Sequence, residues 1–448
     1  MRDIVLIIVI CLSAVWAIRN PVFGMLAFVC VAFLNPQSFT WGIGTTFPVA
    51  LLPAVGTLIG YAISTEPKKI PFRRESALLL AFWVMFGIST IFALYPDRAL
   101  ARFVEMSKVL LMVFLSTSIL NTQNRLHQLM RVIGLSLGMF ALKGGLFVIV
   151  SGGGQRVFGP DHTFLAGANP LGMALAMNVP ILIYLLKTET IPWLRRLVMV
   201  MLGLSYPTVI CTYSRGAWLA LAATTAFYVW KSRRRFQIIL LSTVFGVVFL
   251  PLVVVLLPEK LTNKFDELVN YDTDQSSISR FWNWEFCTRA GLAHPFNGAG
   301  SDFYSEYAYA KYYPEFLERW PGKVWSCHSM WFTIFGEHGF PGFIIWIALI
   351  ASCFMSFRQL TIYGRGHPEL AWIINYADAL KPSFVAFVVG GSFFDGAYFD
   401  MFFQLIAVVV ILKERVNDFA AVNPAVPAGS DVSPPPVDAT ESFTPARM

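Results

Sequence analysis

Charge is what this chain has least of. Aspartate, glutamate, lysine and arginine make up 14% of its 448 residues, where a soluble domain carries about a quarter. Apolar residues reach 56% and the mean hydropathy is +0.60. That balance excludes a soluble globular protein and predicts a polytopic membrane protein. Cysteine is sparse too. The six have no C-x-x-C pair, which excludes a thiolate zinc site and leaves Cys11, Cys30, Cys211 and Cys353, in or beside apolar runs, as small core residues. No extended basic face exists either: the net charge of +7 falls in short clusters between apolar runs, a topology signal rather than a nucleic-acid footprint. No small-residue cleavage site follows the first apolar run, which continues through Val15, Trp16, Ala17 and Ile18 and reads as a retained span rather than a signal peptide.

What is present is a series of windows long enough to cross about 30 Å of hydrocarbon as helix. They lie near residues 46–64, 76–95, 103–120, 130–150, 166–187, 196–212, 214–231, 236–257 and 329–357, with residues 382–412 reading as a hairpin that turns at Asp395 to Asp400. Basic residues crowd into alternate connections: Lys68 to Arg74, Arg125 and Arg131, Lys187 to Arg196, Lys231 to Arg235, Arg358 to Lys381, and Lys413 with Arg415. By the positive-inside rule these are cytoplasmic. Residues 4–34 read as one broken span or as two short ones around Arg19, Asn20 and Pro21; with both termini inside they count as one crossing, and the total is about twelve. The expected division is transmembrane helices over 1–257, an outward polar loop over 258–328, further spans over 329–415, and a Pro-, Ala- and Ser-rich tail over 416–448 that is too polar to fold. Cys287 and Cys327 both fall in the polar loop. They read either as two free thiols or, if the loop faces an oxidising compartment, as a disulfide.

The groups able to carry chemistry gather at the outward connections. His328 stands where the loop re-enters the membrane, and an imidazole at a water–lipid boundary can accept a proton near pH 7; the alternative is a capping or snorkelling histidine. His338 competes with it, but on a continuous helix ten residues separate the two by about 15 Å. Arg215 sits at an outer boundary, where an arginine calls for an anionic partner, either a phosphate or an acid such as Asp395. Arg280 and Trp284 share a face of an aromatic-rich amphipathic stretch, where Arg280 also reads as a snorkelling side chain. Arg156 follows Gly152, Gly153 and Gly154, a run that lets backbone N–H groups approach an anion or simply turns the chain. Asp272 and Asp274 have a D-x-D spacing that invites a metal ion, a pattern common in polar loops without one.

The sequence His328, Ser329, nine residues, Gly339, Phe340, Pro341, Gly342 resembles the signature of the O-antigen ligase and polymerase superfamily, integral membrane glycosyltransferases of the GT-C type. Ser279, Arg280, Trp284, His294, Pro295, Gly298 and Gly300 resemble the block that precedes that histidine. Ser214-Arg215-Gly216 is similar to a short turn of the family, and Asn169 to a helix start. Leu34-Asn35-Pro36 and Trp41-Gly42 resemble the O-glycosylation ligase subgroup, and Ser329 stands where polymerases commonly have Asn. The resemblance implies an all-α fold with a periplasmic catalytic loop at the bacterial inner membrane. It implies a metal-independent, inverting transfer of O-antigen polysaccharide from undecaprenyl pyrophosphate to a hydroxyl of lipid A-core, with membrane lipids as surroundings and no cofactor. His328 would be the base, Arg215 and Arg280 would hold the diphosphate with Arg156 as a third cation, and Asn169, Trp284 and Asp395 would support them. A polymerase or a protein O-oligosaccharyltransferase would share the donor. A transporter of such lipids, the reading from a different class, predicts ionisable groups at mid-membrane.

Overall fold

The computed structural model describes residues 2–232, 237 and 275–423. The 236–257 window, Arg233 to Arg235, Asp272 with Asp274, and the tail from residue 424 lie outside the described residues.

Helices account for the ordered elements, and no strand occurs among the described residues. In a bilayer only a helix or a closed barrel satisfies every backbone donor and acceptor. The elements are α1 (Arg2–Arg19), α2 (Pro21–Leu34), α3 (Leu51–Ile63), α4 (Arg74–Ile91), α5 (Pro96–Ile119), α6 (Gln123–Ser151), α7 (Ala168–Thr188), α8 (Pro192–Ile210), α9 (Arg215–Lys231), α10 (Gln275–Ala293), α11 (Glu306–Tyr312), α12 (Pro314–Arg319), α13 (Met330–Gly366), α14 (Ala371–Gly391) and α15 (Asp400–Val422). α4, α6, α7 and α13 are long and apolar enough to cross a membrane, and α2 and α3 are shorter apolar helices. Starts are encoded locally: Asn20, Thr122 and Ser214 cap α2, α6 and α9 through their side-chain oxygens, and proline opens α5 and α8, where its missing N–H costs nothing.

Residues 4–34, counted above as one crossing, are two helices. Asn20 and Pro21 end α1 and start α2, and α2 folds back along α1: Ile10 clusters with Val31, and a Cβ on Gly24 would lie 2.6 Å from that of Ala17. α3 then runs parallel to α1, with Gly56 against the Ala14 carbonyl and Gly60 against that of Ala17, each 2.4 Å from an added Cβ. Small residues admit this backbone contact. Of the two readings of this stretch, one broken span or two short helices, the structure has the two helices, parted at the Asn20-Pro21 step. The start of α1 therefore lies beside the Gly42 to Gly44 loop, whose N–H groups donate to the Asp3 carboxylate at 3.1 and 3.0 Å, while α15 finishes at the other end of the bundle.

That other end is fastened by ion pairs: Lys413 with buried Glu75 at 2.8 Å, Lys69 with Glu414 at 2.7 Å, Arg131 with Glu189 at 2.9 Å and Arg125 with Glu66 at 2.6 Å. α7 and α15 fill the middle; every residue from Met401 to Leu412 is buried.

The polar loop packs as a unit over the first end. Phe286 of α10 stacks on Tyr309 with centroids 3.8 Å apart, and Phe303 and Phe316 complete the cluster. A disulfide joins Cys287 to Cys327 across 40 residues, settling the two readings of this pair in favour of the bond. α13 is broken at Gly339 (φ 64°, ψ −164°). The carbonyls of Gly336 and Glu337, freed by the break, accept from the N–H groups of Ala299 (2.8 Å) and Gly300 (3.1 Å), and Phe340 N–H donates to the Pro295 carbonyl at 2.8 Å. A Cβ on Gly298 would sit 2.2 Å from the Glu337 carbonyl carbon, and one on Gly339 2.5 Å from the Pro295 oxygen. The two glycine patterns seen in the sequence are halves of one joint.

Candidate active site

His328 is not on a helix. It has φ 51°, immediately before Ser329 at the N-cap position of α13, so the helical separation from His338 expected above does not apply. Its fixation comes from the turn between α14 and α15. Asp395 accepts the His328 backbone N–H at 2.8 Å with one oxygen and faces His328 Nδ1 at 3.5 Å with the other. Thr333 Oγ1 donates to the first oxygen at 3.0 Å, and Ser326 Oγ donates to the second. A carboxylate held by three neighbours keeps the Nδ1 side of the imidazole occupied and leaves Nε2 to accept a proton, the arrangement that orients a histidine base. The His328 side chain is 40% exposed, so a substrate can reach it.

His338 has the opposite setting. It is wholly buried, Nε2 lies 2.7 Å from the Tyr398 hydroxyl, and Phe86 and Phe82 pack on its ring. Tyr398 donates to Glu337, as do Ser301 at 3.0 Å and Tyr304 at 3.1 Å. Burial, with the Glu337 charge second, raises the Tyr304 phenol well above its ordinary value, so it stays a proton donor. This cluster locks the α13 joint to the loop and is closed to substrate.

Arg215 opens α9, capped by Ser214. A Cβ on Gly216 would lie 2.9 Å from the Phe393 side chain, two residues before Asp395. On the other flank of that segment Trp331 Nε1 donates to Ser392 Oγ at 2.8 Å, so the starts of α9 and α13 meet across the end of α14. The Asn169 helix start joins them: a Cβ on Gly172 would sit 2.5 Å from that of Ala217. Arg156 reaches the same turn, its Nε donating to the Thr212 carbonyl at 2.8 Å, while Tyr213 OH donates to the Gly153 carbonyl at 2.5 Å. Arg280 lies one turn before Trp284, which stacks on Phe332 of α13 at 5.1 Å and an interplanar angle of 12°.

The fold thus gathers His328, Asp395, Arg215, Arg280, Arg156, Asn169 and Trp284 at one end of the bundle, and pairs Asp395 with His328. Sequence reasoning gave Asp395 only a supporting place or a bond to Arg215, and it missed Tyr304 and Tyr398, which no spacing connects to Glu337. No group of three or more His, Cys, Asp or Glu side chains among the described residues is placed to hold a metal ion.

Residues 1–190 match a family of unknown function (DUF5935). Residues 173–347 match the O-antigen ligase family, and this segment contains Arg215, Arg280, Trp284 and His328. No curated protein matches the chain. The second match agrees with the superfamily resemblance and with a multi-pass protein whose function is of the ligase or polymerase type.

Proposed function

We propose that this protein is a membrane glycosyltransferase that moves O-antigen polysaccharide from undecaprenyl pyrophosphate to a hydroxyl of lipid A-core, without a metal ion and with inversion. The observation that carries the reading is the His328 and Asp395 pair, at the end of the bundle where Arg215 opens α9, within a chain whose residues 173–347 match the O-antigen ligase family. His328 Nε2 takes the proton of the acceptor hydroxyl as its oxygen attacks the anomeric carbon. Asp395 holds the imidazole in the productive tautomer and offsets the charge it gains. The bond to the diphosphate breaks on the opposite face, and Arg215 and Arg280 neutralise the charge on the departing oxygen. The disulfide favours an oxidising, periplasmic exposure of this end. With residues 4–34 as a hairpin, α1 to α9 and α13 to α15 supply twelve crossings of the inner membrane in a GT-C type arrangement.

A reconstituted assay with both lipids tests this. His328→Ala should abolish product while the purified protein stays monodisperse; full turnover would end the proposal. EDTA should leave the rate unchanged. The acceptor is read from the lipopolysaccharide of a deletion strain: bare core identifies a ligase, single-repeat caps a polymerase, and unaltered lipopolysaccharide with unglycosylated protein an O-oligosaccharyltransferase.

A further inference from the structure

Lys143 lies on a face of α6 that otherwise belongs to lipid. Met139, Leu146, Phe147 and Val150 are exposed hydrophobics, and helical spacing places residue 143 among them. It is eight residues from the helix end at Ser151, about 12 Å at 1.5 Å per residue, farther than a four-carbon stem reaches. An ammonium on an otherwise apolar, exposed helix face marks a candidate site. Its Nζ stands 5.0 Å from the Phe39 ring centroid, and among the described residues it makes no ion pair. It opens instead into a cavity of ≈ 550 Å³ shared with Arg156. Arg156 spends Nε on Thr212 and lays its guanidinium over Phe158, and it too has no ion pair. Asp161 and His162 line the same cavity without pairing to either cation. Gln37, Ser38 and Thr40 line the facing wall; Gln37 Nε2 donates to Asn35 Oδ1 at 3.4 Å, Ser38 Oγ to the Asn35 carbonyl at 2.7 Å and Thr40 Oγ1 to the Gln37 carbonyl at 2.7 Å, which leaves their oxygens as acceptors for hydroxyl groups, and Phe147 leads from the cavity to the exposed apolar stripe.

Two cations beside hydroxyl and amide groups, opening sideways onto hydrocarbon, fit the phosphate-bearing head group of a glycolipid better than a soluble anion. We infer that this cavity is the acceptor subsite: it binds the phosphate of a phosphorylated glycolipid through Lys143 and Arg156, sugar hydroxyls through Gln37, Ser38 and Thr40, and hydrocarbon along Phe147 and Val150. The inference rests on the acceptor proposed above, and it assigns Arg156 to the acceptor side of the reaction. Every lining residue falls within residues 1–190, giving the family of unknown function a task separate from the donor arginines. One loop divides the two regions: Gly159 pairs with Gly167, and Phe164 between them packs on Phe399 at 5.2 Å, four residues beyond Asp395.

Native mass spectrometry of the purified full-length protein, titrated separately with bisphosphorylated lipid A, its dephosphorylated form, undecaprenyl pyrophosphate, phosphatidylglycerol and inorganic phosphate, tests the inference. Lys143→Ala should weaken lipid A retention about tenfold, the loss of one charge-assisted phosphate contact. Lys143→Arg should restore it, the dephosphorylated lipid should bind as poorly to wild type as lipid A does to Lys143→Ala, and undecaprenyl pyrophosphate should be unaffected. Equal retention of lipid A by wild type and Lys143→Ala, a loss confined to undecaprenyl pyrophosphate, or equal competition by phosphatidylglycerol or inorganic phosphate would each overturn it. Binding is read without turnover, so a protein that holds lipid A through Lys143 yet transfers nothing would refute the transferase proposal alone.

Discussion

Asp395 stands 67 residues from His328 in the chain and closes on it from both the backbone and the ring side. No periodicity or motif connects the two, which is why the histidine was legible from its pattern with Gly339 and Gly342 while its partner was not. Asp395→Asn keeps the size and removes the charge, so kcat should fall about 10²- to 10⁴-fold, as in other histidine bases that lose their carboxylate, with the donor KM little changed. Steady-state kinetics on vesicles would check the split. Arg215→Lys should act on the other term: an ammonium cannot grip a diphosphate bidentately, so the donor KM should rise more than kcat falls. The arginines stand out in the sequence because an arginine at an outward boundary runs against the positive-inside bias, whereas the tyrosines around Glu337 give no such signal.

The loop unit and the broken helix hold His328 in place. A cross-link across 40 residues restrains the unfolded chain by about 4 kcal/mol, so Cys287→Ala with Cys327→Ala should lower the thermal midpoint in detergent and free the segment leading to His328. Gly298 has φ 66° and no room for a methyl group; Gly298→Ala should cost about 2–4 kcal/mol and loosen the loop from α13, read as faster proteolysis between α10 and α13. His294 adds a pH term. Burial first, and Lys311 second, depress its pKa below the ordinary 6.5, and its Nε2 meets the Tyr312 hydroxyl at 2.9 Å. The folded state therefore resists a proton that the unfolded chain accepts. Stability from this group is full above about pH 6.5 and falls as the pH drops toward the lowered folded value; His294→Gln should flatten that part of the profile. The helix windows were legible because hydropathy dictates them. The break at Gly339 was visible only as a glycine pattern, since its cause is a second segment entering the gap.

Across the whole molecule, the bundle has a chemical end and a fastened end. Cysteines introduced at Asp3, Thr45 and Lys311 should react with an impermeant maleimide from the same side of the membrane, and one at Glu66 from the other; Asp3 labelling from the side of Glu66 would contradict the α1–α2 hairpin. Hydropathy predicted a many-helix protein with an outward loop and left the first segment as one broken span or two; Arg19, Asn20 and Pro21 mark the break, and only the packing of α2 back along α1 shows it to be a reversal. The staple next to His328 also sets an order of maturation. A newly inserted chain whose loop has not met an oxidant lacks the covalent tie between α10 and the residue before His328; on the proposed periplasmic exposure of this end that tie forms only after export, and a reductant present during insertion should leave the imidazole less firmly seated.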